Sequence, residues 1–491
     1  MSKVMKQLTI SQILFCIFGA FAVCDGGRKA DRPNVLLIAI DDLNDWVGCL
    51  NGHPNTKTPN IDRLASRGTL FSNAHCQAPI CNPSRTSIMS GKRPSSTGIY
   101  DNSPNTALLP GFFERNLSMP RHFAANGYKT MTVGKIYHTS KLPKNDFEAS
   151  GPHVGQTNKL DKPVQEDFDK GVVSLWDFGP QHYPEEKFND HVVADWSIEQ
   201  LKQRQDRPFF LALGFYRPHT PLFSPTRIYN DPELSKGVQL PPVKENDLSD
   251  ISEYAKKLAY SPNPPKQAWF EKEGKKRWEM AVRSYLACVR WTDEQVGRVL
   301  DALEAGPNGK NTIIVLYSDH GFHLGEKRRW AKWTLWERST RVPLIVSLPD
   351  GRAKGVCHRP VELLSIYPTL VELCGLSKNS GLEGASLAPL LADTDAEWPH
   401  AAITTYLQNN HSIRTEDWRY IRYADGSEEL YDHRVDSNEW NNLAGDEQFS
   451  ETIERLRDYL PEQNSEPQPL NPVEEAMKIK KRAERKARRG K

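Results

Sequence analysis

A cysteine, a proline, a serine and an arginine stand close together in Cys81-Asn82-Pro83-Ser84-Arg85, within a stretch that runs on to Gly91. Proline suits the first turn of a helix, where its missing N–H would have no partner, and glycine suits the far end, where a left-handed residue closes the last turn. Cys81 then sits at the N-terminal mouth of the helix. Unpaired backbone N–H groups and the positive end of the helix dipole meet there and favour a tetrahedral oxyanion. Arg85, one turn in, adds a fork of donors. Taken alone, such a segment is more often an inert, half-buried cysteine beside a surface arginine.

Acidic residues supply a second kind of chemistry. Asp41 and Asp42 follow the apolar run Asn34–Ile40, and Asp319 and His320 follow the run Asn311–Tyr317. Three carboxylates and one imidazole are mainly hard donors, a set that suits Ca²⁺ or Mg²⁺ better than a thiophilic ion. A thiolate is a poor partner for such a cation, which is a reason to expect that Cys81 does not act as a thiol. Lys135 and His138 lie just past Tyr128–Val133, and His219 lies between Pro218 and Pro221, in a loop that its prolines stiffen. Lys135 and His138, each read alone, are more often solvated or packed polar groups.

The acids, Lys135 and His138 share one position, the C-terminal end of an apolar strand, and open α/β sheets place their ligands along that edge. Asn34–Ile40 is continuously apolar rather than alternating, the pattern of a central strand covered on both faces. The segment from Thr58 and Pro59 to Gly68 reads as a capped helix, Thr69–Ala74 as a strand, Ser118–Gly127 as a helix with its terminal glycine, and Phe209–Phe215 and Arg341–Val346 as further strands. Strands and helices in alternation argue for a doubly wound sheet. Lys275–Glu304 carries apolar residues at helical spacing and stops near Gly306-Pro307, whereas the Pro-rich polar segment between Asn230 and Lys275 reads as long surface loops. Leu363–Leu373 reads as the last helix of the main domain. Beyond about Leu376 the composition turns more polar, and Ile413–Tyr423, Asp425-Gly426 and Glu429–Asp432 fit two strands joined by a turn.

With these blocks in view, Cys81-x-Pro83-Ser84-Arg85 followed by small residues and Ser90-Gly91 resembles the signature of the type I formylglycine-dependent sulfatases, and within them the iduronate-2-sulfatase-like enzymes. The resemblance runs from about Pro33 to Leu376. It implies an α/β, alkaline-phosphatase-like fold: a large mixed, mostly parallel sheet with helices on both faces and a small C-terminal antiparallel sheet. It also implies that a formylglycine-generating enzyme oxidises Cys81 to formylglycine, whose hydrate is the nucleophile. Asp41, Asp42, Asp319 and His320, with the modified Cys81, would hold one Ca²⁺. Arg85 and Lys135 would stabilise the hydrate and the sulfate oxygens, His138 would take the proton from the second hydroxyl, and His219 and Lys332 would contact the transferring group and protonate the leaving oxygen. The substrate implied is a sulfated saccharide, a 2-O-sulfated uronic acid of a glycosaminoglycan-like polysaccharide. The tryptophans around Lys332, at 330, 333 and 336, could stack on a sugar, though packing is their commoner use. His53, His75, His122 and His323 have no such support and read as surface or packing residues. Two rivals are weighed: a phosphodiesterase or phosphatase of the same superfamily, which would want a Ser or Thr nucleophile and ligands for a second metal, and a secreted carbohydrate-binding relative that has lost catalysis.

Composition sets the outer limits. At 491 residues the chain exceeds a usual single core, so one large domain with a smaller partner is expected. Lys3 and Lys6 precede a short apolar run and a small-residue cleavage site, so residues 1–24 read as a signal peptide and the protein as secreted or periplasmic. Cys24 raises lipoprotein anchoring as a weaker option, and no other stretch reaches membrane-spanning length. The catalytic domain is expected over 32–376, a C-terminal subdomain over 377–465 and a basic tail over 466–491. The net charge of +2 hides an asymmetry: residues 478–491 carry +8 and the remainder −6, so nucleic acid is not an expected partner of the folded part. Six cysteines beyond the leader show no paired spacing and no disulfide framework.

Overall fold

Asn34–Ile40 becomes the central strand of a nine-stranded sheet in the computed structural model, which describes residues 32–479 apart from 166–175 and positions 263, 273, 350, 473, 477 and 478. The strand order is Gly355–Cys357, Thr69–His75, Arg341–Ser347, Thr312–Ser318, Asn34–Ile40, Phe209–Phe215, Lys129–Gly134 and Ala149–Ser150, with Val361–Glu362 also paired to Thr69–His75. Only Arg341–Ser347 runs against the others. The C-terminal ends of the other eight strands therefore open on one edge, and the residues after the five longest of these are Asp41, Cys76, Lys135, Tyr216 and Asp319.

Both faces of the central strand are buried, as its unbroken apolar run requires. Leu36, Ile38 and Ile40 face a core shared with the helices Pro59–Arg67, Asn189–Lys202 and Lys276–Ala305, while Val35, Leu37 and Ala39 face a second core with Cys81–Ser90, Met119–Ala125 and Ile366–Leu373. The period of two along each strand divides its residues between these cores. Lys276–Ala305 is the long helix expected from its spacing, shifted by one residue.

A four-stranded antiparallel sheet follows, in the order Ala402–Thr405, His411–Arg414, Trp418–Arg422 and Glu428–Asp432, with its own core around Ile413, Tyr420, Leu430 and Leu456. Ile413–Tyr423, expected as one strand, is broken at Thr415-Glu416-Asp417, and Asp425-Gly426 sits in a wider loop closed by the Tyr423 N–H on the Ser427 carbonyl. The segment between Asn230 and Lys275 is not loop alone. It holds the short helices Pro232–Ser235, Glu253–Ala259 and Gln267–Phe270, because Trp269 and Phe270 bury into the first core. Leu387, Leu390 and Leu391 pack into the second core, before the antiparallel sheet begins. Among the described residues no helix is long and apolar enough to cross a membrane. The expected leader and nearly all of the basic run at 478–491 lie outside the described residues.

Candidate active site

Cys81 is the first residue of the helix Cys81–Ser90, and Gly91 closes that helix at φ +68. The whole helix is buried, so its N-terminal N–H groups point into the protein rather than to water. Asp41 and Asp42 leave the central strand, and Asp319 and His320 leave its neighbour; all four are completely buried. The two turns are tied together, since the Asp42 N–H donates to Asp319 Oδ1 at 3.2 Å and the Asp319 N–H to the Ile40 carbonyl at 3.3 Å. Asp42 holds a left-handed φ of +63, costly for a residue with a side chain and characteristic of functional turns. Tyr285, from the middle of the long helix, braces this turn: its hydroxyl donates to the Asp42 carbonyl at 2.8 Å and accepts from the Asn44 N–H at 2.9 Å.

Lysines and histidines close around the sulfur. Lys332 Nζ lies 3.3 Å from Cys81 Sγ and 2.6 Å from Asp42 Oδ1; Lys135 Nζ lies 3.8 Å from Sγ and is ion-paired to Asp41. Gly134 and Gly214 let Lys135 arrive here, because a Cβ on Gly214 would stand 2.1 Å from the Lys135 carbonyl and one on Gly134 2.0 Å from the Gly214 carbonyl. His320 Nε2 lies 3.3 Å from Sγ, and its Nδ1 donates to the Gly321 carbonyl at 3.0 Å, which turns Nε2 toward the sulfur. His219 is fixed likewise: Nδ1 donates to the Thr220 carbonyl at 2.6 Å, and Nε2 faces Asp42 Oδ2 at 3.9 Å. Arg85 lies beneath, donating from Nε to Asp319 Oδ2 at 2.8 Å and from Nη2 to Asp41 Oδ1 at 3.1 Å. His138 abuts Cys81, and its Nδ1 is buried without a hydrogen-bond partner.

All ten residues expected to carry chemistry thus meet in one place. Ser84, part of the signature but given no role, and Tyr285, not singled out, join them: the Ser84 hydroxyl donates to the Asp319 carbonyl at 2.5 Å, and Tyr285 looks like any core position of its helix. His53, His75, His122 and His323 are packing residues, hydrogen-bonded and away from the sulfur. The tryptophans at 330, 333 and 336 are buried and unavailable for sugar stacking.

The electrostatics are those of a site built for negative charge. Burial by itself would raise the Cys81 thiol, but Lys135, then Lys332 and His320, outweigh it and hold the thiol well below its usual range. For Asp41, burial is opposed by Lys135 first and by His219 and Arg85, and the carboxyl stays well below the ordinary carboxylate range. His320 goes the other way: burial pulls it down, the Asp319 carboxylate outweighs that, and the imidazole is pushed up to about 9. In His138 burial dominates and lowers the ring, keeping it neutral and able to accept a proton.

A divalent cation fits these donors. Asp41, Cys81, Asp319 and His320, and likewise Asp41, Asp42, Cys81 and His219, offer ligand atoms within 4.8 Å of one another. Asp42 Oδ2 is buried with no hydrogen-bond partner, a cost that a hard cation would remove.

Known proteins carry the same arrangement of sequence. The sequence model of the Sulfatase family matches residues 33–376. The chain belongs to the sulfatase family. A second model, N-sulphoglucosamine sulphohydrolase, C-terminal, matches residues 325–466 of this sulfatase. It is 40% identical over 450 residues to a sulfatase of Formosa agariphila, covering 89% of this chain and 88% of that one. It is 33% identical over 398 residues to human iduronate 2-sulfatase, covering 70% of each. Among solved structures, phosphonate monoester hydrolase of Agrobacterium radiobacter superposes with a TM-score of 0.71 at 22% identity, over 87% of this sulfatase and 94% of that chain. That likeness establishes the alkaline-phosphatase-like fold that the resemblance implied. The family establishes the enzyme class, hydrolysis of sulfate esters.

Proposed function

We propose that this sulfatase removes sulfate from a sulfated carbohydrate, with a 2-O-sulfated uronic acid of a glycosaminoglycan-like polysaccharide as its substrate class, and that it does so with Cys81 converted to formylglycine. The observation that carries the reading is the setting of Cys81: a helix N-terminus, two lysines on its Sγ, and buried carboxylates directly behind. The substrate class is supported by the similarity to iduronate 2-sulfatase.

The Sγ position marks where the hydroxyls of the hydrated side chain would stand. The net change is R–O–SO₃⁻ with water giving R–OH and hydrogen sulfate: the S–O bond to the sugar breaks and one to a hydrate oxygen replaces it, then the C–O bond of the sulfated hydrate breaks as its second hydroxyl gives up a proton, releasing sulfate and leaving the aldehyde, which adds water to restore the hydrate. Asp41, Asp42, Asp319 and His320, with the modified Cys81, would hold one Ca²⁺. When bound, the ion lowers the cost of negative charge on the hydrate and on the sulfate. Lys135 and Lys332 counter the charge that gathers on the sulfate oxygens, in a water-poor setting where such contacts are strong. Arg85 fixes Asp41 and Asp319 and adds to the positive field. His219, its Nδ1–H held by the Thr220 carbonyl, turns Nε2 to the leaving sugar oxygen, and the ring in its imidazolium form gives that oxygen the proton with which it departs. His138 holds the proton of the second hydroxyl. On this reading residues 1–24 are a leader, the protein is secreted or periplasmic, and a formylglycine-generating enzyme is its partner in maturation.

Sulfate release from an aryl sulfate and from a 2-O-sulfated uronate disaccharide tests the proposal, with phosphate release from the matching phosphate ester as control. Phosphate release exceeding sulfate release would favour the phosphatase rival; release of neither, by protein whose Cys81 is modified, would leave a non-catalytic relative.

A further inference from the structure

A cavity of about 400 Å³ opens beside the nucleophile and is walled by Lys135, His138 and Ser140 on one side and by His153, Gln156 and Thr157 on the other. No carboxylate lines it. Cavities of about 340 and 270 Å³ near the antiparallel sheet differ: Arg93, Glu362 and Glu383 wall one and Arg455, Glu416 and Asp417 the other, so each sets carboxylates where an anionic saccharide would lie.

Residues 153–157 follow the edge strand Ala149–Ser150, and their backbone is tied down at three points. Tyr216 Oη donates to the Val154 carbonyl at 2.5 Å, and Asn189 Nδ2 to the carbonyls of Gly155 at 2.7 Å and Thr157 at 3.1 Å. The side chains of His153 and Gln156, on this pinned backbone, make no hydrogen bond to any described residue. Lys135 is committed to Asp41 and the nucleophile, and His138 to Cys81. His153 and Gln156 are thus polar side chains with no hydrogen-bond partner among the described residues, carried in the cavity wall by a fixed backbone.

We propose that this cavity is the subsite for a second anionic group of the substrate, a carboxylate or a further sulfate carried near the ester, and that His153 and Gln156 are its hydrogen-bond donors. The inference rests on the saccharide reading above and deepens it, because it places the charged group of the sugar on the His138 side of the nucleophile.

Three disaccharide probes test it: one with a 2-O-sulfated uronate, the same compound with its carboxyl reduced to the alcohol, and one whose additional anion is a sulfate on the hexosamine. Initial rates of sulfate release give kcat and KM. For His153→Ala and for Gln156→Ala, kcat/KM for an anion-bearing probe should fall about tenfold relative to the reduced probe, mostly through KM, as loss of a hydrogen bond to a charged group entails. His153→Gln, which keeps a donor, should recover part of it. A fall on the uronate probe assigns the site to the carboxylate, and a fall on the hexosamine-sulfated probe assigns it to the second sulfate. Equal loss on all three probes, or no loss in either alanine variant with melting temperatures unchanged, overturns the proposal. If the unaltered protein releases sulfate from an aryl sulfate but from none of the disaccharides, the saccharide reading itself fails.

Discussion

At Cys81 a side chain is surrounded by more positive charge than an inert thiol would need, and that excess is what the residue's chemistry must explain. A modified Cys81 leads to a plain expectation: Cys81→Ala keeps the fold, since a buried alanine at a helix start is tolerated, and lowers sulfate release by at least about 10³-fold. Asp42 supports a second expectation. Its Oδ2 accepts no hydrogen bond from a described residue and its neighbour Oδ1 already accepts from Lys332. Calcium should therefore raise the melting temperature of the unaltered protein by mass action, and a chelator should reverse the rise. Asp42→Asn removes one anionic oxygen pair from the set; in that variant the calcium-dependent rise should shrink or vanish, while a rise of undiminished size would place the ion elsewhere. These residues were legible in the sequence because each sits immediately past an apolar strand or within one short signature. Tyr285 was not, because its role depends on a hydroxyl reaching across from a helix whose spacing shows only that the position is buried.

The segment that carries Lys332 is irregular. Lys327, Arg328, Ala331 and Trp333 all take positive φ without being glycine or asparagine, and Gly325 opens the segment at φ +122. Each such residue costs of order 1 kcal/mol or more, and persists only where its surroundings over-determine it. Lys327 supplies one restraint, buried against Asp247 at 3.1 Å, bonded to the Glu439 carbonyl, and lying 5.0 Å from the Trp336 ring and 5.2 Å from that of Tyr431. Arg329 supplies another, donating to the Lys332 carbonyl at 2.7 Å. Lys327→Met should lower kcat with little change in KM, by loosening Lys332 rather than by removing a group that meets substrate. A double-mutant cycle checks this: Lys327→Met should add little to the loss already caused by Lys332→Met, whereas independent, multiplying effects would contradict it. The path of this segment could not be read from sequence, for it contains none of the Asn or Asp signals that mark left-handed turns after Gly325. The long strands of the large sheet were read well, because burial on both faces leaves a largely apolar run, and only their ends moved by a residue or so.

At the scale of the whole molecule, the antiparallel sheet is joined to the segment that leads into Arg341–Ser347 by buried charges. Arg419 of the antiparallel sheet pairs with Glu337 and Glu439 and donates to the Leu335 carbonyl at 3.1 Å, and Trp336 Nε1 donates to Glu429 at 2.8 Å. Removing one side of such a network leaves uncompensated buried charge, which costs about 3–5 kcal/mol per broken pair. A fragment of residues 32–376 should therefore fail to give a cooperative melting transition, and one of residues 32–465 should give one; thermal unfolding followed by circular dichroism distinguishes them. This seam is invisible in sequence, where the change at Leu376 shows only as polarity, because the partners Glu337 and Arg419 lie far apart along the chain. The α/β class was open to reading from alternation, whereas the order of strands, with Arg341–Ser347 running against the rest, required the pairing itself. The central claim is that Cys81 works as an aldehyde hydrate in a sulfate-binding cage. Mass spectrometry of the tryptic peptide Gly68–Arg85 from active protein tests it most directly: we expect the sulfur of Cys81 replaced by an aldehyde oxygen, with that position resistant to thiol alkylation. An alkylatable thiol at Cys81 in fully active enzyme would contradict it.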